Sequence, residues 1–171
     1  MQYILFTSAE SFVDEVDLIE KIFANDVDYL YVQKPYMNDR QLERFLLSIP
    51  EEIRMKTFLC GSPSMAQEFS LAGFHQPIEW FVQNGGAALR ASGLLSVEVE
   101  YLRDLEKLSP ELRSKIFQVV VKNKPERVPE NVFVACDATE LSDDEPPNRA
   151  IVSGIWEFAD SVSAWRRLCL K

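Results

Sequence analysis

The sequence predicts an α/β fold built on parallel strands, and three observations support this prediction. Eight short apolar segments recur along the 171 residues, separated by helical or polar stretches. No hairpin turn of the Asn-Gly type joins two of these segments, so crossovers and parallel strands are expected. The segments are solid apolar runs, as in strands that are covered on both faces. Eight such units suggest a barrel, although a doubly wound sheet would leave nearly the same pattern.

The first strand is the apolar segment Tyr3–Thr7, and an amphipathic helix follows it. Ser11 is a residue type that caps helices, and Asp14 stands at the third helical position, which predicts a helix start here. Apolar residues then recur at spacings of four, three and four, at Phe12, Val16, Ile19 and Phe23. One face of this helix is therefore expected to pack on the sheet.

The second strand is Tyr29–Val32, and a second amphipathic helix follows it. Asn38 or Asp39 is expected to cap this helix, and Pro50 is expected to stop it. Its inner face consists of Leu42, Phe45, Leu46 and Ile49.

The third strand is Thr57–Cys60. Ser62 then offers a cap, with Pro63 in the first helical position, where a missing N–H is harmless. The helix carries Met65 and Phe69, and Gly73 is the expected left-handed residue at its end.

The middle of the chain contains the fourth and fifth strand candidates. The apolar segment Phe74–Phe81 leads to the pair Gly85-Gly86, which is interpreted as a turn. Ala88–Leu94 is the fifth strand candidate. Ser96 is then expected to cap a helix with the inner residues Val99, Leu102, Leu105 and Leu108.

The last three strand candidates are Ile116–Val121, Val132–Cys136 and Ala150–Ser153. The acidic and proline-containing stretch Asp137–Asn148 is predicted as a loop. The final helix carries Phe158, Val162, Trp165 and Leu168.

The chain length fits a single domain, residues 1–171. Eight units in 171 residues leave about 21 residues each, below the ~30 of a full βαβ repeat. A barrel of this size is therefore minimal, with some helices shortened or missing and with trimmed loops.

The charge of the chain limits its partners. Eighteen basic and 27 acidic residues give a net charge of −9, and the only tight basic group is Arg166-Arg167. We expect no nucleic acid and no membrane as partner, since both need a basic face and no apolar run approaches ~18 residues. The odd number of cysteines and the lack of a secretory signal indicate a cytoplasmic protein with reduced thiols.

Three stretches of the sequence resemble segments of one enzyme superfamily. They are Ile4–Ser8, Asp28–Pro35 and Ala150–Trp156, the last followed by Asp160. They are similar to the first strand, the second strand and the last strand with its phosphate-binding turn in the thiamine phosphate synthase and thiazole tautomerase superfamily. The resemblance implies a TIM (β/α)₈ barrel, of which this chain would be a divergent, shortened member.

The resemblance implies a ligand site at the C-terminal ends of strands two and eight. Ser153 and Gly154 stand at the last turn, where N–H groups and the following helix are expected to cradle a phosphate. The alternative is that Ser153 merely caps this helix. Lys34, supported by Gln33, is expected to point into the barrel mouth and to hold a pyrophosphate or carboxylate. The alternative is a surface lysine before a proline turn.

The positions that hold Mg²⁺ in the synthases differ in this sequence. Cys60-Gly61 and Trp80 stand where the superfamily has acidic residues, and only Glu79 is left nearby. Magnesium needs hard oxygen ligands. No cofactor is therefore certain from the sequence, and Mg²⁺ is expected to be possible only through a substrate pyrophosphate.

Other superfamily positions have changed as well. Gln33 replaces an Arg, and the residues Lys122 to Lys124 replace the Thr-x-Thr-Lys loop that embraces pyrophosphate. Cys136-Asp137 replaces a Gly-Gly pair, and Leu94 stands where tautomerases have a His. No catalytic residue is therefore assigned.

The single histidine, His75, is expected to be a hydrogen-bonded core residue, with a proton shuttle as the alternative. Cys60 and Cys136 stand at strand ends but have no evident partner that would lower a thiol pKa.

Two functional hypotheses follow from the sequence. The first is a thiamine phosphate synthase-like protein of thiamine biosynthesis, which binds a phosphorylated thiazole- or thiamine-type ligand and would be a transferase if active. The second is a non-catalytic barrel relative that serves as a binding or partner subunit, as a homodimer or with another protein.

Overall fold

The computed structural model describes residues 1–140 and 146–169, which contain a closed barrel of eight parallel strands. Each strand pairs with the next along the chain, and the last strand pairs with the first. The strands are β1 (Gln2–Phe6), β2 (Tyr29–Val32), β3 (Thr57–Cys60), β4 (Gly73–Pro77), β5 (Leu94–Val99), β6 (Ile116–Val121), β7 (Val132–Asp137) and β8 (Asn148–Ser153). The predicted TIM barrel is thus confirmed, and closure excludes the doubly wound sheet.

Helices follow most of the strands, and several are short. They are α1 (Glu15–Phe23), α2 (Asp39–Ser48), α3 (Glu51–Arg54), α4 (Pro63–Glu68), α5 (Ile78–Arg90), α6 (Pro110–Lys115) and α7 (Ser161–Cys169). Two 3₁₀ segments, Leu102–Lys107 and Ile155–Glu157, complete the set in the described residues. Residues 122–131 join β6 to β7 without a helix, so the prediction of a minimal barrel is confirmed.

Two hydrophobic clusters lie on the two sides of the barrel wall. Alternate side chains of each strand point to opposite faces. One cluster fills the barrel with Ile4, Phe6, Tyr31, Phe58, Val120, Phe133 and Ala150. The other lies between strands and helices, where Leu5 and Leu30 pack with Ile19 and Ile22 of α1. Apolar residues on both faces explain why β2, β3 and β6 have the predicted bounds.

Two predicted helix caps are present. The side chain of Asn38 accepts a hydrogen bond from the backbone N–H of Gln41, and the side chain of Gln41 accepts one from the backbone of Asn38. Ser62 accepts from the backbone of Met65, with Pro63 in the first turn. The reciprocal bonds of Asn38 and Gln41 and the single bond of Ser62 satisfy N–H groups that have no partner inside a helix.

The predicted start of the first helix is wrong. α1 begins at Glu15, after Asp14 in a left-handed conformation with φ 65°, and Ser11 caps nothing. Because the helix begins later, Glu15 and not Phe12 is buried in its first turn.

The predicted role of Gly73 is also wrong. The left-handed residue after α4 is Ser70, with φ 54°, and Gly73 begins β4. A Cβ atom on Gly73 would collide with the backbone carbonyl of Leu94 on β5. The glycine therefore allows a close approach of two strands.

The segment between β4 and the sixth strand differs most from its prediction. Ile78–Arg90 is the longest helix, α5, with a kink at Asn84 beside the supposed Gly85-Gly86 turn. The strand expected at Ala88–Leu94 lies at Leu94–Val99, where a helix was expected from Ser96. A full-length helix of 13 residues therefore joins β4 to β5.

The last part of the chain agrees with its prediction except at strand ends and at the start of the final helix, since α7 begins at Ser161 and Phe158 lies before it in an extended conformation. β7 extends to Asp137, and β8 begins at Asn148, so the loop is shorter than expected. Residues 141–145 of this loop lie outside the described residues. No helix in the described ranges has the length and apolar character to cross a bilayer.

Candidate functional site

Lys34 follows β2 at the C-terminal end of the barrel, but its side chain does not enter the mouth. Its Nζ lies 2.7 Å from both carboxylate oxygens of Glu15 and 3.1 Å from the carbonyl oxygen of Glu10. It also lies 4.9 Å from the ring centroid of Phe45 on α2. Both members of the ion pair are buried. The expectation that Lys34 points into the mouth is therefore wrong.

The alternation of β2 explains this position. Tyr31 points into the barrel, so Lys34, three residues later, belongs to the outer face that α1 and α2 cover. Burial raises the pKa of Glu15 and lowers the pKa of Lys34, while their mutual hydrogen bonds act in the opposite direction on each. The positive charge expected for an anionic ligand is therefore compensated by Glu15.

The side chain of Gln33, unlike that of Lys34, points to the barrel mouth. Its Nε2 donates to the carbonyl oxygen of Thr7 at 3.1 Å and lies 3.5 Å from that of Val152. Thr7 Oγ1 also bonds both backbone groups of Gln33, at 3.0 and 3.1 Å. Gln33 thus ties β1, β2 and β8 together, and its amide hydrogens are directed to the protein itself.

The predicted phosphate turn after β8 has the expected backbone but is occupied by a side chain. Gly154 has φ 80°, a conformation that favours glycine. The carboxylate of Asp137 packs directly against Gly154, so closely that a Cβ atom on this residue would collide with Asp137 Oδ1. Ser153 Oγ donates to Asp137 Oδ2 at 2.6 Å, and the Thr139 backbone N–H donates to Oδ1 at 2.8 Å.

These hydrogen bonds favour the charged carboxylate. The Ser153 hydroxyl, followed by Thr139, lowers the pKa of Asp137 below its ordinary value. The group over the turn is therefore an anion of the chain, and Ser153 neither caps α7 nor points a free hydroxyl at the solvent.

The positive end of the last helix is capped by Asp160. Its Oδ1 accepts from the backbone N–H of Ser163 at 2.9 Å, and its Oδ2 accepts from the hydroxyl of Ser163 at 2.6 Å. These bonds lower the pKa of Asp160. A carboxylate at a helix start neutralises the partial positive charge there.

Trp156 and Phe12 close the same side of the mouth, and the sequence did not single them out. Trp156 Nε1 donates to the carbonyl oxygen of Phe6 at 2.9 Å, and its ring lies 5.7 Å from that of Phe12. Phe12 was expected on the inner face of the first helix, and an aromatic residue in the loop after β1 together with a Trp after β8 is the signal from which this contact could have been inferred.

Inside the barrel, four polar side chains form a continuous hydrogen-bond chain. Tyr31 Oη lies 2.7 Å from both Ser96 Oγ and Gln118 Oε1, and His75 Nδ1 lies 2.9 Å from Ser96 Oγ. The Tyr31 hydroxyl is the donor toward both oxygens, and Gln118 Oε1 can only accept. Ser96 Oγ and His75 Nδ1 share the next hydrogen bond of the chain.

His75 is a core residue whose Nδ1 is hydrogen-bonded to Ser96 Oγ. Burial lowers the pKa of His75 to about 3. The prediction of a hydrogen-bonded core residue is confirmed, and a group with this pKa is a poor proton shuttle near neutral pH.

The positions that the resemblance assigns to Mg²⁺ do not fit this ion. Cys60 is a thiol whose pKa is raised by burial, and Trp80 packs against Phe74 and Phe81. Neither supplies the hard oxygen ligands that Mg²⁺ requires. Within residues 1–140 and 146–169, no group of three His, Cys, Asp or Glu side chains is arranged to hold a metal.

A charged cleft lies beside the mouth, at the C-terminal ends of β5 and β6. Lys122 Nζ lies 2.9 Å from Glu98 Oε1, and Lys107 Nζ lies 2.9 Å from Asp104 Oδ1. The hydrogen bond to Glu98 raises the pKa of Lys122. The cleft has a volume of about 300 Å³ and is also lined by Glu79, Glu100 and Arg103. Its two lysines are thus already paired with carboxylates.

At the C-terminal end of the barrel a carboxylate thus lies on the last turn, and Lys34, Lys107 and Lys122 are each paired with a carboxylate. An arrangement of this kind offers little compensation for a pyrophosphate leaving group.

The chain has the fold of a known enzyme structure, and the comparison supports the fold alone. A thiamine phosphate pyrophosphorylase from Bacteroides thetaiotaomicron has a similar solved structure, with a TM-score of 0.72 over 99% of this chain and 96% of that chain. The two sequences are 17% identical. No family model and no curated protein sequence matches the chain. The likeness expected from the sequence is thereby confirmed as a likeness of fold.

Proposed function

We propose that this chain is a thiamine phosphate synthase-like barrel that lacks the synthase reaction and acts as a binding or partner subunit. The observation that carries this proposal is the Asp137 carboxylate packed on Gly154, because it puts negative charge where the superfamily binds phosphate. An ionised phosphate beside this carboxylate would be repelled.

The loss of other charges supports the same conclusion. The family reaction would join a pyrimidine pyrophosphate to a thiazole phosphate and release pyrophosphate. Its transition state needs positive charge or a metal near the leaving group. Here Lys34 is neutralised by Glu15, and Cys60 and Trp80 stand at the metal positions.

A pyrophosphate-release assay with both substrates and Mg²⁺ tests this proposal. We expect no release above a protein-free blank for the wild-type protein. Release that requires Mg²⁺ and increases with protein concentration would overturn the proposal. Light scattering of the same sample, which gives the mass in solution, would show whether the chain forms a homodimer.

A second candidate is a barrel that binds a phosphorylated thiazole- or thiamine-type ligand without converting it. The left-handed Gly154 at the C-terminal end of β8 favours it, because the backbone has the form of a phosphate turn. In this candidate Asp137 moves aside, and Ser153, Gly154 and Gln33 contact the ligand. Lys34 contributes if its bond to Glu15 opens.

Calorimetry with thiamine phosphate, thiazole phosphate and pyrophosphate separates the two candidates. Asp137→Asn removes the negative charge, and Asp17→Asn, an exposed change on α1, makes the same change in net charge elsewhere. If the second candidate holds, Asp137→Asn tightens binding about tenfold or more, and Asp17→Asn leaves it unchanged. If no ligand binds either variant, the second candidate is wrong.

A further inference from the structure

A pocket opens at the N-terminal end of the barrel, opposite the end discussed above. It has a volume of about 360 Å³. Three aromatic side chains (Tyr29, Phe117 and Phe133) and three amides (Gln2, Gln118 and Asn131) line it. This volume falls in the range of small-molecule sites, which combine apolar walls with a few polar groups.

The aromatic walls are held in fixed positions by their neighbours. The rings of Phe117 and Phe58 are stacked, with centroids 6.2 Å apart and an interplanar angle of 10°. Tyr29 meets Phe117 edge to face at 5.9 Å, and it meets Phe58 in the same way at 5.8 Å. Phe117 is nevertheless 36% exposed, so part of its ring remains available to a planar ligand.

The deepest polar group of the pocket is Gln118, which is only 3% exposed. Its Oε1 accepts the hydrogen bond of Tyr31, which fixes the orientation of the amide. Its Nε2 forms no hydrogen bond with any of the residues 1–140 and 146–169. Nε2 is not one of the fully enclosed side-chain atoms that lack a partner, so it keeps contact with solvent, and an acceptor atom of a ligand in the pocket would take the place of water on it.

The charge of the pocket limits the ligand class. Among the lining residues, Glu130 is the only charged one, and none is a Lys or Arg. The pocket therefore offers no cation to an anionic ligand. We propose that this pocket binds a small, planar, uncharged aromatic or heteroaromatic molecule whose carbonyl or ring nitrogen accepts a hydrogen bond from Gln118 Nε2. The ring lies against Phe117, and the site is independent of the C-terminal end.

Benzamide is a suitable probe because it combines a planar ring with a carbonyl acceptor. Cyclohexanecarboxamide is its matched control, since it has the same amide on a puckered ring. In a titration followed by backbone ¹H–¹⁵N NMR, benzamide should shift the signals of Phe117, Gln118 and Asn131 and saturate in the millimolar range expected for so small a ligand. Cyclohexanecarboxamide should bind about tenfold more weakly, because it cannot stack.

Two variants locate the binding site. Phe117→Ala should abolish saturation, and Phe12→Ala, which removes a similarly exposed ring at the other end of the barrel, should leave it unchanged. Shifts that do not saturate, that lie at the other end, or that are equal for both amides would overturn the proposal. The comparison of the two amides uses the wild-type protein, so it decides the matter even if Phe117→Ala does not fold.

Discussion

The ammonium of Lys34 lies 2.7 Å from both carboxylate oxygens of Glu15, and the two side chains are buried between α1 and α2. This pair removes the principal cation that the sequence offered to a ligand. It also connects the loop after β2 to the first turn of α1, and so holds the C-terminal end of the barrel together.

Breaking this pair should destabilise the protein strongly. Lys34→Met leaves the Glu15 carboxylate buried and unpaired, which is expected to lower the free energy of unfolding by about 3–5 kcal/mol. Urea unfolding measures this change. The double variant Glu15→Leu/Lys34→Met should recover most of the loss, because no buried charge remains.

An exposed pair provides the control for this experiment. Lys107→Met removes the partner of Asp104, and the Lys107 side chain is 56% exposed. The expected change is about 0–1 kcal/mol. Equal effects of Lys34→Met and Lys107→Met would contradict the role assigned to the buried pair.

Lys34 also shows where sequence reasoning reaches its limit. The bounds of β2 are predictable because all of Tyr29–Val32 is apolar. The face on which the next residues lie depends on strand parity, and a shift of one residue exchanges barrel interior and helix-covered surface. Gln33 and Lys34 were both expected in the mouth, and only one of two adjacent residues can point there.

The fifth strand was missed for a related reason. Leu95, Val97 and Val99 face the helices, while Ser96 and Glu98 face the inside of the barrel. The alternation has a period of two, but a serine before apolar residues also has the form of a helix cap. Ser96 is buried because Tyr31 and His75 satisfy its hydroxyl, and such partners are not visible in the local sequence.

A second missed element, α5, contains the Gly85-Gly86 pair that suggested a turn. Ile78, Phe81 and Ala88 recur on one helical face and are buried, so packing outweighs the low helix propensity of glycine. The role of Asp137 was missed because the predicted loop began there, whereas β7 continues to this residue and delivers its carboxylate to Gly154.

Gly154→Ala should be strongly destabilising. Its φ of 80° strains any other residue, and the new methyl group would collide with Asp137. We expect a loss of about 2–3 kcal/mol in urea unfolding. In the double variant Asp137→Gly/Gly154→Ala the collision with the carboxylate disappears, while the 3.0 Å approach to the backbone nitrogen of Ala138 and the backbone strain of about 1–2 kcal/mol remain, so only part of the loss should be recovered.

Gly85→Ala is the matched control for this substitution. A Cβ atom there would lie 3.6 Å from Leu112 Cδ2, an ordinary contact, and the residue belongs to α5. Alanine is expected to be neutral or to stabilise by about 0.5–1 kcal/mol. A loss at Gly85 as large as that at Gly154 would refute the special conformation of the turn.

Cys60 should react slowly with thiol reagents in the folded protein. Burial, followed by the negative charge of Glu98, raises the pKa of its thiol, and the reactive species is the thiolate. Alkylation with iodoacetamide at mildly alkaline pH, followed by mass spectrometry, measures the rate at this residue. Ser92→Cys supplies an exposed reference thiol, and Cys60 should match its rate only after unfolding in urea.

The buried His75 should make stability depend on pH below neutrality. Its pKa is about 3 in the folded protein and about 6.5 in the unfolded chain, so the unfolded state binds the extra proton between these values. The free energy of unfolding should therefore fall with decreasing pH, by about 1.4 kcal/mol between about pH 7.5 and 5.5. His75→Gln has no proton to gain, so this part of the slope should vanish in urea unfolding at the same pH values. Parallel curves for the two proteins would show that burial in the barrel does not hold His75 neutral.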